Sequence, residues 1–304
     1  MALPVMDAAA LARALPMAAA IDALEAGFRR PLATGPLRTH VDTAPGSLLV
    51  MPATGESGTG VKLVTLTPGN PAAGRPLIHA MYVLFDPVTQ APRAVLDGGA
   101  LTALRTGAVS GLATRFLARP DASELAVFGA GVQARSHVAA MRAVRPIARV
   151  TVIGRDAERA SGFVTELRAD GLDAATGDAT AVETADIVCT CTTSDTPLFD
   201  GNRLRGGAHV NAVGAYLPTT RELDTAAVAR GRVVVETREV AMAEAGTILL
   251  PIAEGAVGPD HVVADLAEVV GGAAVRRGAA DVTVFVSVGA AFEDLIVAAA
   301  AVGA

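Results

Sequence analysis

The sequence predicts an α/β protein in which a doubly wound parallel sheet is joined to a mixed α+β domain. Three observations predict it. Of the 304 residues, 51% are hydrophobic, only 3% are aromatic and none is tryptophan; a core of small and β-branched side chains suits helices packed closely on a parallel sheet. From Ser123 onward, short apolar runs alternate with helical patterns, the rhythm of parallel strands joined by crossover helices. Within that stretch the turn Gly129-Ala130-Gly131-Val132-Gln133-Ala134 directly follows an apolar run and opens a helical one.

Taken in order, residues 18–29 carry Ile21, Leu24 and Phe28 at helical spacing and stop before Pro31. Strands are expected at 47–51, 60–66, 77–85 and 91–96, separated by the turn signals Pro68-Gly69-Asn70-Pro71 and Asp86-Pro87. With no helix between them, these strands predict an antiparallel or mixed sheet. A long helix follows over 99–117 and ends before Pro120. The alternating part supplies strands at 125–128, 149–153, 186–191, 208–213, 232–235 and 282–286, with helices from the glycine turn through Met141 and over 157–169. A last helix, 290–302, is expected to return to the first domain. The domains are thus 1–115 with 290–304, and 116–289.

Composition excludes several functions. The formal charge is -6, with acids and bases interspersed, so no basic stripe offers itself to nucleic acid. Mean hydropathy is +0.44, yet Glu293 and Asp294 interrupt the run 290–302, and Arg232 and Glu236 bound 233–235. No stretch reaches the roughly 20 apolar residues of a membrane span. The N-terminus lacks a basic region and contains Asp7, so it does not read as a signal peptide. Cys189 and Cys191 are spaced for neither a disulfide nor a zinc site and read as structural; His40, His137, His209 and His261 have no metal-ligand spacing. The chain reads as cytoplasmic, without metal, nucleic-acid or membrane partners.

The glycine turn points to a dinucleotide and makes the parallel sheet Rossmann-type. Gly129 permits the tight turn, Gly131 lets the backbone approach a pyrophosphate, and Ala134 keeps helix and strand close. The amides of the first helical turn, at Val132 and Gln133, face the phosphate charge. At the end of the second strand, Arg155 directly follows Gly154, where a cation meets a 2′-phosphate. That favours NADP(H) over NAD(H), with Asp156 left to cap the next helix. Thr193 and Ser194 follow the 186–191 strand at the sheet's carboxyl edge, where cofactor contacts are expected.

Several segments together resemble the ornithine cyclodeaminase/μ-crystallin family: Gly60-Val61-Lys62-Leu63-Val64, residues Leu101 to Ala108, the glycine turn through Arg135, Asn211-Ala212-Val213-Gly214, Arg221-Glu222-Leu223-Asp224, and Ser287-Val288-Gly289 followed by Glu293-Asp294-Leu295. The resemblance implies a substrate and dimerisation domain beside a Rossmann domain, and a homodimer formed through the first domain's sheet. It implies a small amino or imino acid substrate whose carboxylate is held by Arg38, Lys62 and Arg105. It also implies cofactor contacts from Thr106, Val213, Gly214 and Ser287. The residue types fit: Arg forks a carboxylate with paired donors, and Lys adds a movable point charge. Val286 departs from the lysine that many members carry before the serine.

Cyclodeaminases and archaeal alanine dehydrogenases of that family carry an Asp two residues before the proline of Gly214-Ala215-Tyr216-Leu217-Pro218. Here Tyr216 takes the place, and an unperturbed phenol, with a pKa of about 10, is no counter-ion at neutral pH. The resemblance is therefore nearer the ketimine reductases, which reduce Δ1-pyrroline-2-carboxylate or Δ1-piperideine-2-carboxylate to proline or pipecolate. Lys62, Arg105 and Tyr216 are the expected catalytic residues, with Lys62 or the Tyr216 hydroxyl giving the ring nitrogen its proton. His79, on the strand thought to neighbour that of Lys62, is a further candidate acid. A cyclodeaminase, an amino-acid dehydrogenase and a non-catalytic dinucleotide- or ligand-binding protein are the alternatives.

Overall fold

The computed structural model describes residues 3–33 and 35–303. The chain packs as two compact units, Met1–Arg105 with Ala290–Ala304, and Thr106–Gly289. The first holds β1 (Val5–Met6), α1 (Ala8–Ala14), α2 (Met17–Phe28), β2 (Thr39–Thr43), β3 (Gly46–Gly55), β4 (Gly58–Leu66), β5 (Ile78–Phe85) and β6 (Pro92–Asp97), and α3 (Gly98–Leu117) carries the chain out of it. The second holds β7 (Glu124–Phe128), α4 (Val132–Val144), β8 (Arg149–Ile153), α5 (Ala157–Ala169), β9 (Asp173–Thr176), β10 (Ile187–Thr190), β11 (His209–Ala212) and α6 (Thr225–Arg230). It continues through β12 (Gly231–Val235), α7 (Arg238–Glu244), α8 (Gly246–Ala253), β13 (Val262–Asp265), α9 (Leu266–Val270) and β14 (Val282–Val286); α10 (Ala291–Val302) then rejoins the first unit.

The first unit's sheet has the order β1-β6-β5-β4-β3-β2. Only β1 pairs in parallel; the other neighbours are antiparallel, so the sheet is mixed. Strand alternation sorts its faces. Met51, Lys62, Tyr82 and Leu96 form one cross-strand row and all are buried, under a face on which α10 packs. Val41, Leu63 and Met81 are exposed. The sequence pattern missed β1 and β2 for plain reasons: β1 has two residues, and every residue of β2 is exposed, so no apolar alternation marks it.

The second unit's sheet is wholly parallel, in the order β13-β12-β14-β11-β10-β7-β8-β9. Buried Val127, Val152, Val188, Val210 and Val284 make its strands apolar on both faces, as parallel sheets covered by helices require. Strand order reverses between β7 and β10, the place where open α/β sheets leave a crevice at their carboxyl edge.

The division falls inside α3, ten residues before the junction expected from sequence, and packing explains it. Gly107 lies so close to Ser136 of α4 that a Cβ would collide with the Ser136 side chain. His137 Nε2 bonds Ser110 Oγ at 2.9 Å, and Asn211 Nδ2 donates to Thr114 Oγ1 at 3.0 Å. The later turns of α3 are thereby fixed to the second unit's own strands and helices. Burial holds His137 neutral, its pKa depressed to about 4, which fits a structural part in this packing.

Candidate active site

The dinucleotide turn is built by β7, α4 and β10. Gly129 adopts φ +108°, and a Cβ there would stand 2.5 Å from the Cys191 carbonyl oxygen, just beyond β10. Both the left-handed backbone and the close approach of the two strand ends demand glycine. Gly131 is different: a Cβ would meet nothing within 4 Å. It N-caps α4 without any side-chain bond to the helix amides, whereas Asp156, Asp224 and Thr237 cap α5, α6 and α7 through their side chains. The N-terminus of α4 therefore keeps its amides open toward a free space, which suits an anion. Ala134 is fully buried, as close helix–sheet packing requires, while Val132 is exposed. Thr106 Oγ1 and Gln133 Oε1 are buried and lack a hydrogen-bond partner among the described residues. Buried polar atoms in that state call for an external partner, so these residues fit a bound dinucleotide.

Two buried carboxylates, Glu222 and Glu236, to which the sequence alone assigns no role, shape the carboxyl edge of the same sheet. Glu222 accepts from Thr190 Oγ1, from Thr192 N and Oγ1, and from Gly214 N, at 2.6–2.8 Å. It thus locks the chain leaving β10 to the chain leaving β11. Its burial raises its pKa, against the pull of those bonds. A side chain at Gly214 would strike both Glu222 and the Thr192 carbonyl. Thr193 is exposed, and Ser194 folds back, its amide bonding Thr192 Oγ1 and its hydroxyl donating to the Thr196 carbonyl. Val213 donates its amide to the Thr190 carbonyl. Ser287, expected to meet the cofactor, is buried and donates its hydroxyl to Glu236 at 2.5 Å; Glu236 also accepts from Val288 N and Gly289 N. That commitment makes the Ser287 hydroxyl a tie between β14 and β12. Tyr216 is half-buried on the loop after β11 and packs against the second unit's core. Arg155 is exposed at the end of β8, and Asp156 is occupied as the α5 cap, accepting from Arg159 N at 3.1 Å.

A buried charge cluster lies in the first unit. Lys62, on β4, is 1% exposed, and its Nζ stands 2.7 Å from Asp294 Oδ2 on α10. Arg105, on α3, is 6% exposed; its Nη1 lies 2.9 Å from Glu293 Oε2 and its Nε 3.2 Å from Asp294 Oδ1. Asp294 therefore bridges both cations. Desolvation lowers the Lys62 pKa to about 8; Asp294 opposes the shift, and Arg105 and Arg38 reinforce it. Arg38, half-buried just before β2, is thus within electrostatic reach of Lys62. Tyr82 lies beside Lys62 across β4 and β5, its ring admitted by Gly60, where any Cβ would overlap the phenol. Burial, then Asp294, raises the Tyr82 pKa, so its hydroxyl stays protonated.

Of the carboxylate-binding residues expected from sequence, Lys62 and Arg105 meet in this cluster, with Arg38 close enough to be felt. His79 does not join them. It is exposed and pairs with Thr65, an odd number of residues from the Lys62–Tyr82 pair, so the pleat turns it to the other face of the sheet. The contributions of Glu293, Asp294 and Tyr82 went unassigned from sequence. The two acids belong to a segment already singled out; Tyr82 carried no motif at all. Among the described residues no group of His, Cys, Asp and Glu is arranged to hold a metal ion.

The two turn glycines should separate experimentally. Gly129→Ala should lower the melting temperature and abolish dinucleotide binding, since strain at such a φ costs about 1–3 kcal/mol before any clash. Gly131→Ala should leave the melting temperature within about 2 °C of wild type, a shift well below 1 kcal/mol for a chain of this size, yet weaken dinucleotide binding. Unaltered binding in Gly131→Ala, measured by fluorescence titration, would remove the pyrophosphate from this turn.

Comparison with known proteins agrees with this geometry. Over 257 residues the chain is 39% identical to a Δ1-pyrroline-2-carboxylate reductase of Bacillus cereus, covering 82% of this chain and 79% of that one. It is 38% identical over 267 residues to the ketimine reductase mu-crystallin of Rattus norvegicus, covering 86% and 82%. The structure of the Thermococcus litoralis Δ1-pyrroline-2-carboxylate reductase in complex with NADH and L-proline matches with a TM-score of 0.94 at 36% identity, over 99% of this chain and 96% of that one. An archaeal alanine dehydrogenase dimer with bound NAD matches with a TM-score of 0.93 at 30% identity, over 99% and 95%. The model of the ornithine cyclodeaminase/mu-crystallin family spans residues 4–302, and the chain belongs to that family.

Proposed function

We propose that the protein reduces a cyclic imino acid, Δ1-pyrroline-2-carboxylate or Δ1-piperideine-2-carboxylate, to proline or pipecolate with NADPH. The observation that carries the reading is the buried Lys62–Arg105 pair, held by acids yet retaining an acidic ammonium, in a chain similar to reductases of such substrates. When bound, the dinucleotide supplies a hydride for the C=N carbon. Arg105 and Arg38 offer paired donors to the substrate carboxylate, and Lys62 gives the ring nitrogen its proton, so the C=N bond becomes CH–NH. With a pKa of about 8, Lys62 is charged at neutral pH yet readily releases its proton, the condition for an effective general acid. Tyr216 presents an aromatic ring where a carboxylate would serve the amino group of ornithine.

The direct assay is NADPH oxidation with Δ1-pyrroline-2-carboxylate. Reduction should proceed, ornithine should release no proline, and Lys62→Ala should lose about 100-fold or more in kcat with NADPH binding retained. Because the acid form of Lys62 is the active one, kcat/KM should be full below pH 8 and fall as pH rises through about 8. A profile flat to pH 10, or proline from ornithine without imine reduction, would overturn this assignment.

The choice of NADPH is supported by Arg155, exposed and without an ion pair among the described residues, beside an Asp156 already used as a helix cap. KM should be lower for NADPH than for NADH, and Arg155→Ala should remove most of the difference. A strong NADH preference in the wild type rejects the Arg155 role.

We also place the protein in the cytoplasm as a homodimer formed through the first unit's sheet. The free thiols Cys189 and Cys191 suit a reducing compartment, and no helix of the described residues is long and apolar enough to cross a membrane. Exposed Val41, Leu63 and Met81 on sheet strands offer apolar surface for a second copy. Sedimentation should give a dimer for the wild type and a monomer for Met81→Glu; a dimer that survives Met81→Glu with Leu63→Glu would place the interface elsewhere.

A further inference from the structure

Arg135, one turn into α4, is engaged on three sides. Its Nη1 donates to the Ala130 carbonyl at 2.7 Å and to the Gly131 carbonyl at 3.3 Å. Its Nε and Nη2 fork the Glu166 carboxylate, each at 2.7 Å. Its guanidinium carbon lies 4.5 Å from the centroid of the Phe163 ring. Glu166 and Phe163 both belong to α5, so a neighbouring helix holds the guanidinium while its remaining donor reaches the turn.

The consequence follows from peptide geometry. A trans peptide sets its C=O and N–H on opposite sides of one plane. A carbonyl drawn toward Arg135 therefore turns the following amide away from it. The Ala130 carbonyl is held by the guanidinium, and the Gly131 carbonyl by the guanidinium together with the Arg135 backbone amide at 3.2 Å, so the amides aimed outward are those of Gly131 and Val132. They open the one α4 terminus that no side chain caps, beside the free space at Gly131. We propose that Arg135 is a positioning residue for the cofactor: anchored on Glu166 and Phe163, it presets the Gly131 and Val132 amides for the pyrophosphate. The proposal rests on the glycine turn being the dinucleotide site. As a plain ion pair, Arg135 and Glu166 would contribute little to folding, since their side chains are 38% and 55% exposed. Orientation of the turn gives the three-sided engagement a purpose that stability does not.

The test is calorimetric titration of the full-length protein with NADPH and with ADP-ribose, together with melting temperatures and the KM of the imino acid at saturating NADPH. Arg135→Met should weaken both nucleotides by about tenfold or more, the size of a lost charge-assisted hydrogen bond, with imino-acid KM and melting temperature near wild type. Arg135→Lys should bind nearly as poorly, because an ammonium cannot fork Glu166 and span two carbonyls together. Glu166→Gln, which keeps the turn bonds but loosens the anchor, should show a smaller loss of the same kind. Wild-type affinity in Arg135→Met would overturn the proposal. So would a lowered melting temperature with nucleotide affinity and imino-acid KM impaired together in both Arg135→Met and Glu166→Gln. A wild type that binds neither NADPH nor ADP-ribose would instead refute the dinucleotide reading on which the proposal rests.

Discussion

Burying Lys62 and Arg105 is tolerable because α10 brings two carboxylates to them. An ammonium or guanidinium removed from water loses several kcal/mol of hydration unless an opposite charge replaces it. Asp294 meets both cations and Glu293 meets Arg105, at 2.7–3.2 Å. Much of the first unit answers to this requirement. The last helix must lie against β3, β4 and β5 rather than stay with the strands that precede it in sequence. Gly27 admits Ile296 of that helix so closely that a Cβ would overlap its side chain. Placement of α10 and neutralisation of the site are thus one structural fact.

The second unit is governed by a different constraint, the closeness of strand ends and loops at its carboxyl edge. Gly129 passes the chain beyond β10 at a distance that admits no Cβ, and Gly214 passes the Thr192 carbonyl and the Glu222 carboxylate in the same way. Glu222 and Glu236 supply the acceptors for loop amides that no strand partner satisfies. Each carboxylate replaces missing backbone partners, so the loops keep fixed shapes without long secondary structure of their own. A rigid edge of this kind is what lets a short turn offer oriented amides to an anion.

The elements that the sequence made plain are those whose burial leaves an apolar pattern, alternating in β8, continuous in β14 and at helical spacing in α5. Strands β8 and β14 and helix α5 begin and end where their apolar patterns do, because each has neighbours on every buried side. Strands β1 and β2 were invisible because pairing alone makes them strands, with little burial to leave a pattern. The site was legible in part for the same reason. Gly129, Gly131, Lys62 and Arg105 break local rules, a cation in an apolar strand or glycines at a strand end, and so announce themselves. Glu293 and Asp294 stand out in the sequence as interruptions of an apolar run and as part of a family motif, but without a role, since nothing in one helix reveals the cations it will meet. His79 lies apart from Lys62 because neighbouring strands alone do not bring side chains together and the pleat decides the face: Lys62 pairs with Tyr82, and His79 is three residues away.

Asp294 also resolves a tension within the proposed chemistry. A lysine in water, with a pKa of about 10.4, is a weak acid at neutral pH; a fully desolvated one can fall to about 5–6 and hold no proton to give. Desolvation pulls Lys62 down, the neighbouring arginines pull the same way, and Asp294 pulls it back to about 8. The residue therefore stays charged enough to attract a carboxylate and acidic enough to protonate an imine. Tyr82, raised by the same burial, cannot compete for that role, because its hydroxyl keeps its proton throughout the working range. The distance between Lys62 and one helix carboxylate thus determines how strong an acid the first unit presents.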